Sequence, residues 1–272
     1  MCIADTFLWR YNEEKPTEVN VVQFLNKAAI STGAASGMGL LFAQCWAAEG
    51  GNVIMCDVNE AVLQEKVAEI NEKGAGKAIA CLCDVRDYEQ VCAARDLCVS
   101  EFGSIDVMCN FAGGTATRIW KVPGEVEFPD VPIEVYDWGL DVNLRAQMYF
   151  GHAVMKQMRE QKNGLIVNIG SISGFEGDAK GVEYCTAKSG AMIGLTRSLA
   201  QYGAKYGVRC VCVSPGPVLT RAAMANMKTM LGRAAEPQEI IDLILFIASD
   251  KGQFINGENI MIDGGRNAMK PW

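Results

Sequence analysis

The chain has 272 residues, half of them apolar and 21% charged, a size that can bury a sizeable core and that a single large α/β domain commonly reaches. Its 25 basic and 32 acidic side chains give a net charge of −7 and a pI near 4.9, so the chain repels polyanions, and neither nucleic acid nor an anionic membrane surface is expected as a partner. No apolar run approaches the roughly 18 residues that a membrane span needs.

The first 26 residues mix Phe7, Leu8, Trp9 and Tyr11 with charged side chains. They are read as an added arm packed on the body, residues 27–272, or across a subunit boundary. The opening MCIADTFLWR carries an acid where a secretory signal carries basic residues, so a cytoplasmic protein is expected. Short apolar runs then recur at residues 28–31, 52–56, 78–83, 105–109, 165–169, 208–213 and 259–262, and each reads as a buried strand. Between the second and third, Leu63, Val67 and Ile70 fall at i, i+4 and i+7, one face of a helix, and the other gaps are long enough for crossover helices. Residues 120–138 hold three prolines and several acids and read as an elaborated loop. Residues 239–248, EIIDLILFIA, are apolar nearly all round and fit a helix buried on two sides, against the sheet and against another subunit. The pattern predicts one α/β domain with a parallel sheet of about seven strands, doubly wound, with helices on both faces.

Cysteine is frequent, at 11 residues. Cys81 with Cys83 and Cys210 with Cys212 lie in strand-like runs, where same-face packing of reduced thiols accounts for them. The single histidine, His152, offers no ligand cluster, so no metal is expected.

After the first strand comes Thr32-Gly33-Ala34-Ala35-Ser36-Gly37-Met38-Gly39, which leads straight into a helix-like segment. Glycines at such a junction let the backbone approach a pyrophosphate, and the helix N-terminus offers free N–H groups and the positive end of its dipole. A plain tight turn uses the same glycines. Asp57 ends the second strand, eighteen residues beyond Gly39, where a carboxylate accepts from adenosine ribose hydroxyls and repels a 2′-phosphate. Ala34, Ala35 and Ser36 bring no cation to neutralise that phosphate, so NAD is expected over NADP. Asp84, at the end of the third strand, is placed either to cap a helix or to accept from the adenine amino group.

Tyr184 and Lys188 are four residues apart in a helix-like stretch and share one face. An ammonium beside a phenol favours the phenolate and is expected to lower the Tyr184 pKa towards working pH. Ser171 precedes Tyr184 by thirteen residues. Taken one at a time, Ser171 reads equally as a strand end, Asn143 as a helix kink or cap, and Thr220 as an N-cap.

Taken together these residues resemble the short-chain dehydrogenase/reductase family, from Lys27 to about Gly265. The likeness includes the Thr32 to Gly39 turn, Asp57, Asp84-Val85, Asn110-Phe111-Ala112-Gly113, Asn143, Ser171, Tyr184 with Lys188, Pro215-Gly216-Pro217-Val218 with Thr220, and Asp263-Gly264-Gly265. Phe111 stands where the family usually has a second Asn, and Gly170 where a Ser often precedes the catalytic one. The resemblance implies a Rossmann-type fold, hydride transfer with NAD, and Tyr184 as general acid/base. It further implies that Ser171 holds the substrate oxygen, that Lys188 binds the nicotinamide ribose, and that Asn143 holds a proton-relaying water. The cofactor is expected on Gly33, Ser36, Gly37, Met38, Gly39, Asp57, Asp84, Val85, Asn110, Ala112, Gly113, Tyr184, Lys188, Pro215, Gly216, Val218 and Thr220.

Two rivals are weaker. A dinucleotide-binding sensor without turnover has no need of the Tyr184 and Lys188 pair, and an epimerase or dehydratase of the extended type carries a longer segment after Gly265. The expected substrate is a secondary alcohol or its ketone. A bulky hydroxysteroid is favoured because the lid, residues 221–230, is short and carries Met224, Met227 and Met230; a small polyol is the alternative. A homo-oligomer, most simply a tetramer, is expected from residues 239–248, from the small-residue helix at 187–200 and from the habit of the family.

Overall fold

Each short apolar run becomes a strand flanked by helices, in the order β1 (Ala28–Thr32), α1 (Gly37–Ala48), β2 (Asn52–Asp57), α2 (Glu60–Glu72), β3 (Ala78–Leu82), α3 (Tyr88–Phe102) and β4 (Val107–Asn110). The second half continues with α4 (Ala116–Ile119), α5 (Ile133–Leu140), α6 (Ala146–Gln161), β5 (Gly164–Ile169), α7 (Ser173–Glu176), α8 (Val182–Gly190), α9 (Thr196–Ala204), β6 (Val208–Pro215), α10 (Pro237–Ala248) and β7 (Asn259–Ile262). The structure is a computed structural model that describes residues 23–73 and 75–269. The arm residues Phe7, Leu8, Trp9 and Tyr11 lie outside the described residues. Among those described, no helix is long and apolar enough to cross a membrane.

The seven strands form one parallel sheet in the order β3-β2-β1-β4-β5-β6-β7. Alternation along each strand divides the core in two. Ala29 faces the side covered by α1, α2 and α10, together with Trp46, Leu63 and Ile244. Ala28 and Ile30 face the side covered by α3, α6 and α9, with Val91, Phe150 and Ala200. Because both faces are covered, the strands are apolar throughout, and no polar alternation marks them in the sequence.

Strand order reverses between β1 and β4, which pair with Ile30 opposite Met108. Their crossovers leave on opposite faces, so a crevice opens at their carboxyl ends. At the other end, Asp106 fixes the register: its carboxylate accepts from Lys27 Nζ at 3.1 Å, Ala28 N at 2.9 Å and Ser104 Oγ at 2.9 Å.

Three expectations need adjustment. The fourth strand starts at Val107 rather than at 105, with Ile105 buried ahead of it. Residues 120–138 are not all loop, because α5 begins at Ile133 and the segment packs its own small core of Ala116, Val131 and Val135. The apolar helix expected at 239–248 starts at Pro237, where the missing N–H costs nothing. It buries Ile240, Ile241, Ile244, Leu245 and Ile247 and leaves Phe246 exposed.

Candidate active site

The turn after β1 is shaped by its glycines. Gly33 and Gly37 take φ of +63° and +59°, backbone that side-chain-bearing residues adopt at a cost. A Cβ on Gly39 would sit 2.6 Å from the Gly33 carbonyl oxygen and 2.7 Å from that of Thr32, so the helix can start this close to the strand only with glycine there. The Ser31 hydroxyl donates to Gly39 O at 3.0 Å and locks the approach. A Cβ on Gly37 would meet nothing within 4 Å, because its Cα faces an open cleft.

That cleft, about 630 Å³, is walled by the glycine turn at its base. It runs from Asp57, Asp84 and Val85 past Ala112 and Gly113 to Thr220. Asp57 is oriented by two backbone donors, Ala35 N and Asn59 N, each at 3.0 Å, and a carboxylate so held retains lone pairs for hydroxyl donors in the cleft. Glycines at positive φ or pressed against backbone, a helix N-terminus and a carboxylate at the far end fit a nicotinamide dinucleotide.

A second pocket of about 340 Å³ adjoins the cleft at Met38, Thr220 and Arg221. Ser171 and Tyr184 share its wall, Pro215, Gly216 and Val218 form its back, and Met224 and Met227 lie at its lid. Ser171 comes from the end of β5, and Tyr184 and Lys188 come from one face of α8. Burial pushes the Tyr184 phenol above its ordinary pKa, while the Ser171 hydroxyl and the Arg221 guanidinium pull it down. The depression expected from Lys188 is not what the geometry produces. Lys188 Nζ lies 5.6 Å from the centroid of the Tyr184 ring and donates to Ile169 O at 2.8 Å. Lys188 is itself buried and pushed down to about 8.

Asn143 is fully buried in a π turn, Asp141–Arg145, that joins α5 to α6. Its amide clamps the loop after β4, accepting from Gly114 N at 2.9 Å and donating to Gly114 O at 2.9 Å and Gly139 O at 2.8 Å. A second π turn, Ala191–Leu195, joins α8 to α9 just after Lys188. The two helical rods touch here, with a Cβ on Gly190 falling 3.1 Å from Leu144 Cδ2. A Cβ on Gly113 would lie 2.6 Å from Asn143 Oδ1 and 3.4 Å from Lys188 Nζ, so both functional groups converge on this backbone.

Of the expected cofactor residues, Asn110 does not line the cleft, and Asp84 lines it with its carboxylate already engaged. The Asn110 side chain is buried inside the sheet and donates to Asn168 Oδ1 at 3.0 Å, tying β4 to β5. Asp84 caps no helix, since Asp87 caps α3 by accepting from Glu89 N and Gln90 N. Asp84 instead grips Arg86 through Nε and Nη2, which holds its carboxyl below the usual range.

Three residues escaped the sequence reading. Glu183, next to Tyr184, is buried and accepts from Ala116 N at 3.0 Å, while its Oε2 has no partner. It thereby hangs the start of α4 on α8. Arg118 on α4 and Arg221 after Thr220 both line the cleft. Their one sequence signal was a basic residue beside a motif in an acidic chain.

The chain belongs to the short-chain dehydrogenase/reductase family of oxidoreductases: a family model described as enoyl-(acyl carrier protein) reductase matches residues 33–267. It is similar to 7alpha-hydroxysteroid dehydrogenase of Bacteroides fragilis, with 33% identity over 266 residues, covering 92% of this chain and 97% of that protein. It is also similar to trans-4-hydroxycyclohexanecarboxylate dehydrogenase of Sinomonas cyclohexanicum, with 38% identity over 252 residues, covering 89% and 93%. Among solved structures, that of gox2181 superposes with a TM-score of 0.81 at 28% identity, covering 92% of this chain and 99% of that one.

Proposed function

We propose that the protein is an NAD(H)-dependent dehydrogenase that interconverts a secondary alcohol and its ketone, the alcohol borne on a bulky, largely apolar ring such as a hydroxysteroid. One observation carries the reading: Ser171 and Tyr184 share the wall of a pocket that adjoins a cleft running from the glycine turn to Asp57. Similarity to dehydrogenases named for ring alcohols supports it.

A nicotinamide cofactor, when bound, supplies the hydride acceptor or donor. Gly33, Ser36, Gly37, Met38 and Gly39 hold its phosphates, Asp57 its adenosine ribose, and Lys188 its nicotinamide ribose. Ser171 donates a hydrogen bond to the substrate oxygen and fixes it against Tyr184 Oη. Tyr184 takes the hydroxyl proton as the carbinol carbon is oxidised, and returns it in reduction. Lys188 and the Asn143 turn pass that proton outward. Met224 and Met227 give adaptable apolar contact to the ring.

The test is NADH formation at 340 nm, with NAD and then NADP, against a panel containing a hydroxysteroid, 4-hydroxycyclohexanecarboxylate, cyclohexanol and a linear polyol. Turnover of ring alcohols with NAD is the expected result. Preference for the polyol overturns the substrate reading, preference for NADP overturns the role of Asp57, and NAD binding with no turnover of any alcohol overturns the enzyme reading.

A further inference from the structure

Two arginines line the cleft where it meets the reaction pocket, and among the described residues neither has a carboxylate partner. The guanidiniums of Arg86, Arg95, Arg145, Arg233 and Arg266 each reach a carboxylate within 4.0 Å. Among the described residues no carboxylate holds Arg118 or Arg221. Arg221 Nη2 donates to the Met224 thioether at 3.6 Å. Arg118 lies along the loop after β4, where a Cβ on Gly114 would stand 3.2 Å from its Nη2. Asp178, the carboxylate in the wall of the smaller pocket, turns an oxygen to Lys180 N at 3.0 Å.

The two arginines face one space. Both line the cleft, and Arg221 also lines the pocket that holds Ser171 and Tyr184. Burial and the neighbouring Arg221 push Arg118 below its ordinary pKa. Like charges held together without an anion repel, and an anionic ligand relieves that repulsion while gaining two forked donors. The backbone that carries Arg118 is anchored beside the pocket, because α4 is tied through Ala116 N to Glu183, the residue next to Tyr184.

We propose that Arg118 and Arg221 form a carboxylate-binding mouth, so that the alcohol this enzyme takes bears a carboxylate on the side of the ring away from the reacting carbon. The proposal rests on the alcohol dehydrogenase reading and narrows its substrate class. The cofactor phosphates are a poorer fit for this pair. The glycine turn and the α1 N-terminus already serve the phosphates at the base of that cleft, whereas Arg221 also sits with Tyr184 and the lid methionines in the adjoining pocket.

A dead-end ligand tests the mouth without turnover. Cyclohexanecarboxylate and its neutral isostere cyclohexanecarboxamide are titrated into the protein–NADH complex by calorimetry. The acid is expected to bind at least about tenfold more tightly, and in Arg118→Gln with Arg221→Gln the ratio of the two affinities falls to about one. In turnover, the same double variant loses the kcat/KM preference for 4-hydroxycyclohexanecarboxylate over its methyl ester. Equal binding of acid and amide by the unaltered protein overturns the proposal. So does an unchanged ratio in the double variant, or an equal loss for acid and ester, which would mean that the arginines act on Tyr184 alone. So does a loss confined to NADH affinity, which would give the pair to the cofactor. Failure of the underlying reading looks different: no alcohol in the panel is oxidised, whatever the binding data show.

Discussion

Tyr184→Phe removes one oxygen and leaves the ring that α8 packs. If the phenol carries the proton, kcat/KM falls by about 10²- to 10⁴-fold while NADH still binds; stopped-flow turnover beside NADH fluorescence separates the two, and near-normal turnover refutes the assignment. Asp57 makes a second prediction. Its two oxygens are each held by one backbone N–H, so its charge stays where a 2′-phosphate would lie. Asp57→Asn should narrow the preference for NADH over NADPH by about tenfold or more in kcat/KM. Lys188 makes a third, through stability. Its folded pKa of about 8 lies below the ordinary 10.5, so between those values the unfolded chain holds more protons and stability rises with pH. The penalty for burying the ammonium, on the order of 3 kcal/mol, is fully present below pH 8 and fades above it. Urea midpoints from pH 8 to 10 should climb more steeply for the unaltered protein than for Lys188→Met, and parallel slopes would count against a buried, depressed lysine. Tyr184, Lys188, Ser171 and Asp57 were legible because their meaning lies in short chain spacings at strand ends. Arg118, Arg221 and Glu183 were not, because their meaning comes from contact between segments far apart in the chain.

At the level of elements, the strands and crossovers could be read from the sequence because each strand is a short apolar run between helical stripes. The end of residues 120–138 misread as loop shows where this fails. Prolines and acids there signalled irregular chain, yet Val131 and Val135 find Ala116 through tertiary packing that no local pattern carries. The departure at Gly170 acquires a reason only in three dimensions. A Cβ there would lie 2.1 Å from Ser214 Oγ and 2.7 Å from Met192 Cγ, so β5 and β6 have adjusted to each other at this rung. Gly170→Ser should lower Tm, with a cost of about 1–3 kcal/mol from overpacking. Adding Ser214→Gly should recover part of it. A thermal melt of both variants checks this, and additivity of the two changes would show the contact to be absent.

For the whole molecule, the recurring βα rhythm gave the class of fold, and the surface pattern bears on assembly. Phe246 on α10, Ile193 in the turn after α8 and Tyr202 on α9 are exposed at 43%, 50% and 47%. Apolar groups on the helices already expected to meet another subunit favour a symmetric homo-oligomer. Light scattering at micromolar concentration should give a mass of two or four chains, and Phe246→Glu or Tyr202→Glu should lower it; a monomer in the unaltered protein refutes the expectation.

The paired π turns have a consequence for how this chain can vary. Each turn carries one residue more than an α-helix would need over the same rise. Deleting a single residue at Leu144 or Met192 would let the rod close to a regular helix over the same rise, so the flanking helices keep their facing and only the wide turn is lost. A deletion in the regular helix beside it turns everything beyond by about 100°. Asn143, set inside the first turn, would still be drawn off Gly114, with no side chain substituted at all. In a library of single-residue deletions across the chain, those at the two turns should melt closer to the unaltered protein than those in the adjoining helices, with activity lost where Asn143 moves.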